Sequence, residues 1–526
     1  MNENQGNRPP EKKRLPIGIQ TFSKIREGRY LYVDKTVHVL RMLDDGETYF
    51  LSRPRRFGKT LFLDTLKSLF EGRKELFEGL YIYDKWDWEV SYPVIHFNFA
   101  DGILKTEQDF TDKLEELMRE NSRRLGVECD YPKTDRRCFK DLIIKVNEKY
   151  GQKVVILIDE YDKPMLDNVT SAEIARLMRD NLRDLYSVIK GADAYLRFVF
   201  LTGVSKFSKV SIFSGLNTLK DISLDSNYAS ICGYTQQDLE SSFADYLQDV
   251  DRALLKKWYN GYNFLGDNVY NPFDILLFIS ENHNYKNYWF STGTPTFLID
   301  LIKTQKYYLP ELETQVVSES VMESFDIDQL NIVAILFQSG YLTIKSVIKK
   351  YGKTRYKLGY PNLEVRTAMS EHLIGYLTQD TSKITRNEDT LLDALYEGDL
   401  LLLEQGVKTL FSSISYDNYS NNSIQNYEGY YASVIYAYFS ALGCDALIAE
   451  DHSNKGRIDL TLKVEEKIYI FEFKVVDEDS LSNTALQQIK EKQYADKYQG
   501  QGDIYLVGIE FSKKERNVTG FAWERG

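Results

Sequence analysis

The stretch Phe50–Leu63 reads FLSRPRRFGKTLFL, and its interpretation decides how the first half of the chain folds. A loop that cradles phosphate ordinarily carries G-x-x-x-x-G-K-[ST] between a strand and a helix. Here Gly58-Lys59-Thr60 closes that pattern, while Arg53 stands where its first glycine belongs. A candidate strand (Tyr49–Ser52) leads in and an amphipathic helix (Thr60–Phe70) leads out. In that frame Gly58 lets the backbone approach an anion, Lys59 reaches the β/γ-phosphates and Thr60 ligates Mg²⁺, at a helix end rich in unpaired N–H groups. Arg53, Arg55 and Arg56 either bind phosphate directly or face solvent. Taken alone, the stretch is equally an arginine-rich turn that contains GKT.

A second segment, KVVILIDEYDKP, ends an apolar run in Asp159-Glu160. The aspartate suits a Mg²⁺ shell and the glutamate can polarise an attacking water. Many buried parallel strands also end in an acid for structural reasons. Both segments nevertheless occur in the order a nucleotide site requires, each at a strand's C-terminal end, where α/β sheets bind ligands. A third strand, RFVFLTGVSKFS, ends in Thr202 and Ser205, which suit a polar sensor of the γ-phosphate.

The bulk composition narrows the rest. A chain of 526 residues, 43% hydrophobic, is too long for one core, so about two to four domains are expected. A formal net charge of −12 argues against bulk attraction to nucleic acid or an anionic membrane and leaves room only for a local site. The cysteines at 129, 138, 232 and 444 lack C-x-x-C spacing, which argues against a zinc knuckle and fits a reducing interior. The polar start MNENQGNRPPEKKRLP has no apolar core of a secretory signal. No run reaches the roughly 18 apolar residues that span a bilayer. The expectation is a soluble, cytoplasmic protein with no membrane partner. The 38 tyrosines are spread through every region, as half-buried packing residues are.

Along the chain, candidate strands Tyr49–Ser52, Val94–Phe99, Val154–Ile158 and Arg197–Thr202 alternate with helical patterns at Thr60–Phe70, Glu107–Leu125, Phe139–Lys149 and Ser171–Lys190. Such alternation predicts a parallel sheet covered by helices. Residues 325–376 read as helix, two strands and helix, a winged-helix-like module. NYSNNSIQN (418–426) marks a boundary, after which the pattern is helix, strand, strand, helix, strand.

The last of these regions holds GRIDLTLKVEEKIYIFEFKVV. If Glu465-Glu466 is a two-residue loop, Val464 faces Lys467, and the same register sets Asp459 opposite Glu472. Like charges facing across strands are destabilising, so the pair asks for a cation. Strand alternation puts Lys474 on the face of Glu472. Two acids on Mg²⁺ with a lysine beside the attacking water suit phosphodiester hydrolysis. The segment also reads as an amphipathic hairpin with a solvated charged face, but Ile470, Phe471, Phe473, Val475 and Val476 surround the acid with apolar side chains.

RPRRFGKT, ILIDEYDKP and TGVSKFSKVSIFSGLNTLKDIS, with PIGIQTFSKI, YLYVDKT, WYNGYNF and VYNPF, together resemble the AAA-ATPase-like family of prokaryotic proteins over about residues 15–295. In that family RPRRFGKS/T replaces the usual glycine-led loop. The resemblance thus implies an ATP site with Lys59, Thr60 and Asp159 as its core, while the residues themselves add Arg55, Arg56, Gly58 and Thr202 as binding residues, Thr60 and Asp159 on Mg²⁺, and Glu160 as the catalytic carboxylate that polarises the attacking water. The C-terminal segment resembles the PD-(D/E)XK nuclease superfamily. Asp459 and Glu472-Phe473-Lys474 match its acid and E-x-K. Glu428 matches the acid on the preceding helix that completes the metal shell, and Gln488 falls on the following helix near the site.

The expected architecture is therefore α/β. It comprises a tail (1–14), a P-loop AAA-like ATPase domain with a parallel sheet (15–230), a helical extension (231–300), a helical or winged-helix-like connector (301–415) and a PD-(D/E)XK-type domain (416–526). The expected function joins ATP binding and turnover to a Mg²⁺-dependent nuclease with Asp459, Glu472 and Lys474 as catalytic residues and nucleic acid, DNA foremost, at the C-terminal domain. The alternatives are an ATP-operated switch or adaptor that binds nucleic acid or protein without cutting, and a P-loop ATPase with a structural C-terminal domain.

Overall fold

The structure, a computed structural model, describes residues 12–206, 212, 219–290, 309–323, 331–378, 381–414, 428–444, 446–476, 483–512, 515 and 517–526. Most of the KFSKVSIFSGLNTL segment, the 418–426 boundary and Leu330 lie outside the described residues. The chain divides into two compact units, Met1–Thr292 with Val317–Tyr356, and Gly293–Val316 with Lys357–Gly526.

In the first unit, β1 (Thr48–Ser52), α1 (Lys59–Phe70), β2 (Val94–Asn98), α2 (Glu107–Leu125), α3 (Arg136–Tyr150), β3 (Val154–Asp159), α4 (Ala172–Gly191) and β4 (Leu196–Gly203) follow the predicted alternation closely. With β5 (Lys220–Asp221) they form a five-stranded sheet in the order β2-β3-β4-β1-β5, parallel at every pairing. Every residue of β3 is buried, as expected of a strand with helices on both faces. Thr106 caps α2 in a reciprocal capping box with Asp109, and Gly126 ends the helix at φ 61°. The buried Phe110, Leu114, Leu117, Met118 and Leu125 of α2 recur at helical spacing.

The cysteines differ from expectation. Cys129 and Cys138 form a disulfide, with Cα atoms 5.3 Å apart across a sequence separation of 9. The turn between α2 and α3 brings them together, and a search for C-x-x-C spacing does not detect it. Cys232 and Cys444 are buried thiols.

Further along the first unit, α5 (Ile332–Ser339) leads into the hairpin β6 (Thr343–Lys350) and β7 (Lys353–Gly359), and the division between the units falls within β7. In the second unit, helices Thr381–Glu397 and Leu400–Ser413 precede α6 (Glu428–Ala441). After α6 come β8 (Ala446–His452), β9 (Arg457–Val464), β10 (Lys467–Val476), α7 (Thr484–Glu491), β11 (Asp503–Ser512) and β12 (Asn517–Arg525). The sheet order is β8-β9-β10-β11-β12, with only the β10–β11 pair parallel. The sequence pattern missed β8 and β12. Both are edge strands whose alternation is irregular, with Ile448 and Trp523 exposed while Asp451 and Gly520 take buried positions. The ring of Phe439 on α6 lies 5.3 Å from Phe471, while on the other face Ile489 of α7 packs with Ile468 and Ile470.

Two histidines of the first unit carry a pH signature. His38 is buried and His96 half-buried, and His38 Nδ1 and His96 Nε2 are shielded without a hydrogen-bond partner among the described residues. Burial, reinforced by Lys35 and Lys67 respectively, pushes both down to about 4 from an ordinary 6.5. The unfolded chain therefore binds protons that the folded one refuses, so this stability is complete above pH 6.5 and is lost as pH falls toward 4. Between those values each histidine is expected to steepen the loss by up to about 1.4 kcal/mol per pH unit. Urea unfolding of wild type and His38→Gln across this range checks it, because the variant should show a shallower acid slope.

Candidate functional site

The loop after β1 turns on residues whose backbone is fixed by their surroundings. Gly58 caps α1 at φ 91°, and a Cβ there would meet nothing within 4 Å, so conformation and not crowding selects glycine. Arg56 is also left-handed, at φ 67°. Trp289 Nε1 donates to the Arg55 carbonyl at 3.3 Å, and the Gly233 amide donates to that of Phe57 at 3.1 Å. Lys59 is buried, and its ammonium folds back onto the carbonyls of Arg53 (2.9 Å) and Pro54 (3.1 Å).

Arg53 neither binds solvent nor points at an anion. It is 1% exposed, donating from Nη1 to the carbonyls of Ser52 (2.9 Å) and Ser223 (2.7 Å) and from Nη2 to that of Tyr228 (3.1 Å). Its guanidinium lies 3.8 Å from the Phe264 ring centroid. A side chain in the place of the missing glycine thus pins the loop to the segment after β5. Arg55 and Arg56 are exposed, and the Arg56 guanidinium sits 3.9 Å over Phe273.

Sheet order explains how the remaining groups meet. Because β4 lies between β1 and β3, its C-terminal end sets Thr202 beside Asp159. The fully buried Asp159 carboxylate accepts from Thr60 Oγ1 at 2.6 Å, from Thr202 Oγ1, and from the Glu160 amide at 3.1 Å. Glu160 takes φ 51°, a conformation costly for a non-glycine residue. Burial raises its carboxyl above the ordinary range, opposed by Lys59. The paired oxygens of Thr60 and Asp159 are the hard donors that Mg²⁺ prefers, so the residues fit the ion. Ser205 is placed differently from its expected sensor role. Its hydroxyl and amide both donate to Asp162 at 2.6 Å. Asp162 was not foreseen. It is buried, its carboxyl is pushed up by desolvation, and it fastens the turn after β4 to the end of β3.

In the second unit the register expected of the hairpin is present, since the β9–β10 ladder pairs Leu460 with Phe471 through to Val464 with Lys467. Glu465 accommodates the tight turn at φ 50°. Asp459 is half-buried one residue beyond that ladder, and its Oδ2 accepts from the Phe473 amide at 2.8 Å. Glu472 is 1% exposed; it accepts from Gln488 Nε2, and Lys474 Nζ lies 3.7 Å from its Oε1. Asp459, Glu472, Lys474 and Gln488 therefore gather at one end of the β9–β10 pair. Glu428 opens α6, and its side chain lies outside the described residues. Among the described residues no three acidic, His or Cys groups form a metal cluster. Asp459 and Glu472 supply carboxylate oxygens from adjacent strands, a donor set that fits Mg²⁺.

Two neighbours were not legible in advance. Glu510, in register with Lys474 on β11, is buried and accepts from the amide and hydroxyl of Thr484, both at 2.7 Å, which ties down the start of α7. Gly508, in register with Glu472, has no room for a side chain, because a Cβ would stand 2.3 Å from the Leu486 amide nitrogen. That close approach lets α7 carry Gln488 to Glu472. The only sequence signal was alternation along GIEFS, which needs the β10–β11 register to acquire meaning.

A parallel α/β sheet with a GKT loop on the first strand and a buried acid on the third, followed by a mixed sheet with an E-x-K strand, defines a P-loop ATPase-like protein with a nuclease-like domain. Models for the family described as "Predicted AAA-ATPase" and for the PD-(D/E)XK nuclease superfamily match residues 16–213 and 426–521. The chain is 48% identical over 515 residues to a protein in the vnfD 5′ region of Azotobacter chroococcum mcd 1, covering 98% of this chain and 99% of that one. It belongs to the AAA-ATPase-like family and carries a PD-(D/E)XK nuclease superfamily domain at its C-terminal end. Among solved structures, the Aeropyrum pernix ORC1 protein in complex with DNA aligns at 14% identity and a TM-score of 0.27, over 65% of this chain and 93% of that one. No helix among the described residues is long and apolar enough to cross a membrane.

Two substitutions separate architecture from ligand binding. Arg53→Met removes the guanidinium hydrogen bonds to the buried Ser52, Ser223 and Tyr228 carbonyls, of which the last keeps the Ile231 amide as a donor, and is expected to destabilise the first unit by about 2–4 kcal/mol. Lysine there should not rescue it, lacking the planar fork, and thermal melts of the two variants check both statements. Lys59→Ala should weaken Mg-ATP binding about 10- to 100-fold in calorimetric titration, the loss of one charge-assisted contact. Unchanged affinity would exclude this loop from nucleotide binding.

Proposed function

We propose that the protein is a nucleotide-controlled, Mg²⁺-dependent nuclease that hydrolyses nucleic-acid phosphodiesters in its C-terminal domain. The observation that carries this reading is the meeting of Asp459 and Glu472 on adjacent strands with Lys474 beside Glu472. In this reading Asp459 and Glu472 hold the ion, with Glu428 as a third candidate ligand. Lys474 orients the attacking water and offsets charge developing on the phosphate. Gln488 holds the Glu472 carboxylate in place. When bound, Mg²⁺ supplies Lewis-acid polarisation of the phosphoryl oxygen and a more acidic water.

In the first unit Lys59, Gly58 and the start of α1 hold the triphosphate. Arg55 and Arg56 lie exposed in the same loop for further phosphate contact. Thr60 and Asp159 hold its Mg²⁺, and Thr202 fixes the Asp159 carboxylate. Glu160, with its raised carboxyl held near Lys59, is suited to take a proton from the attacking water. Nucleotide state then governs cleavage. A second reading, an ATP-operated adaptor that binds without cutting, draws on the way the Gln488 amide and the Lys474 ammonium already engage Glu472.

Incubating plasmid, single-stranded DNA and RNA with Mg²⁺, with and without ATP, separates the two. Lys474→Ala and Glu472→Gln should each slow cleavage at least about 10²-fold while Mg-ATP affinity is retained. Undiminished cutting by Lys474→Ala would move the active site elsewhere, equal cutting without nucleotide would break the coupling, and no cutting of any substrate by wild type would leave the adaptor.

A further inference from the structure

Between Thr343 and Tyr356 the β6–β7 hairpin carries Lys345, Lys349, Lys350, Lys353 and Arg355 and no acidic residue, in a chain whose net charge is −12. All five cations are exposed. Among the described residues, none forms an ion pair with Lys349, Lys350, Lys353 or Arg355. The strands join through Tyr351-Gly352, at φ 51° and 73°, the left-handed pair of a two-residue hairpin turn. Such a turn sets Lys350 opposite Lys353, and like charges facing across strands are destabilising. Tyr351 at the tip is 91% exposed, with Val347 (44%) and Ile348 (39%) behind it. Folding asks for none of this, because the hairpin is anchored by the buried Ile344 and Tyr356.

Val347 and Ile348 are consecutive and so point to opposite faces of the ribbon, as do Lys349 and Lys350. Apolar and cationic side chains on both faces suit a partner that surrounds the ribbon. A membrane plane or a flat acidic protein surface would meet only one face. The short strand Val316–Ser318 pairs with β7 at the hairpin's base, leaving the tip two-stranded. The major groove of B-form DNA admits such a ribbon and flanks it with phosphates on either side, whereas the deep, narrow major groove of A-form RNA does not.

We infer that this hairpin is a duplex-DNA contact surface in the first unit, distinct from the carboxylate site. The cations meet phosphates, while Val347, Ile348 and Tyr351 meet sugars and thymine methyl groups. The inference does not require the C-terminal domain to cut. It is tested by binding alone, in EDTA, with full-length Lys474→Ala protein as the background.

Fluorescence anisotropy with a labelled mixed-sequence duplex, titrated over a series of salt concentrations, gives affinity and salt slope. Adding Lys350→Gln, Lys353→Gln and Arg355→Gln together should weaken duplex binding at least about tenfold at low salt and make the slope of log K against log salt shallower by about 2–3. Unchanged melting temperature shows that the variant is folded, and restoring the three positions as arginine should recover both readouts. The inference is overturned by equal affinity and slope in the triple variant. It is overturned equally if the triple variant loses more affinity for single-stranded DNA, duplex RNA or phosphatidylserine vesicles than for duplex DNA.

Discussion

A single buried carboxylate organises the first unit. Asp159 ends β3 wholly out of solvent and is surrounded by the hydroxyl of Thr60, the hydroxyl of Thr202 and the amide of Glu160. An acid so placed is tolerable only if its oxygens are engaged. The ends of β3 and β4 and the start of α1 are therefore held in one arrangement, although they lie far apart in sequence. The sheet order that inserts β4 between β1 and β3 is what makes that convergence geometrically available.

The second unit repeats the logic with different parts. Glu472 is buried on β10 and is reached by Gln488 from a helix that crosses the sheet where Gly508 leaves space. Asp459 arrives from the neighbouring strand and is steadied by the Phe473 amide. Glu510 tethers the first residue of that helix through Thr484. In both units buried or half-buried acids on the strands are oriented by hydroxyl, amide or ammonium donors.

The loop is also joined to the element that bears the basic hairpin. Gly340, which ends α5 at φ 94°, abuts Pro54 so closely that a Cβ would stand 2.7 Å from the proline Cβ. Gln338 of the same helix accepts from the Lys206 amide at 2.8 Å, just past β4. At the hairpin's base, Thr343 Oγ1 accepts from the Asn263 amide at 2.8 Å. The phosphate loop, the turn after β4 and the root of the hairpin form one packed network, so a rearrangement of the loop meets the helix that carries the hairpin directly.

The sequence alone determined the alternation of strands and helices, the positions of Lys59, Thr60 and Asp159 on that frame, and the β9–β10 register that aligns Asp459 with Glu472. These are local or period-two properties, fixed by apolar pattern and by turn length. It left Arg53 ambiguous, because an arginine in a loop reads the same whether it is buried on carbonyls or solvated. It left Cys129–Cys138, Asp162 and Glu510 unassigned, and it missed the edge strands β8 and β12, whose alternation is broken by the exposed Ile448 and Trp523 and the buried Asp451 and Gly520. Tertiary structure decided those, because each depends on which distant backbone comes alongside. A strand inserted between two others, a helix admitted by one glycine, or a carbonyl presented to a guanidinium has no signature within the stretch of chain that it affects.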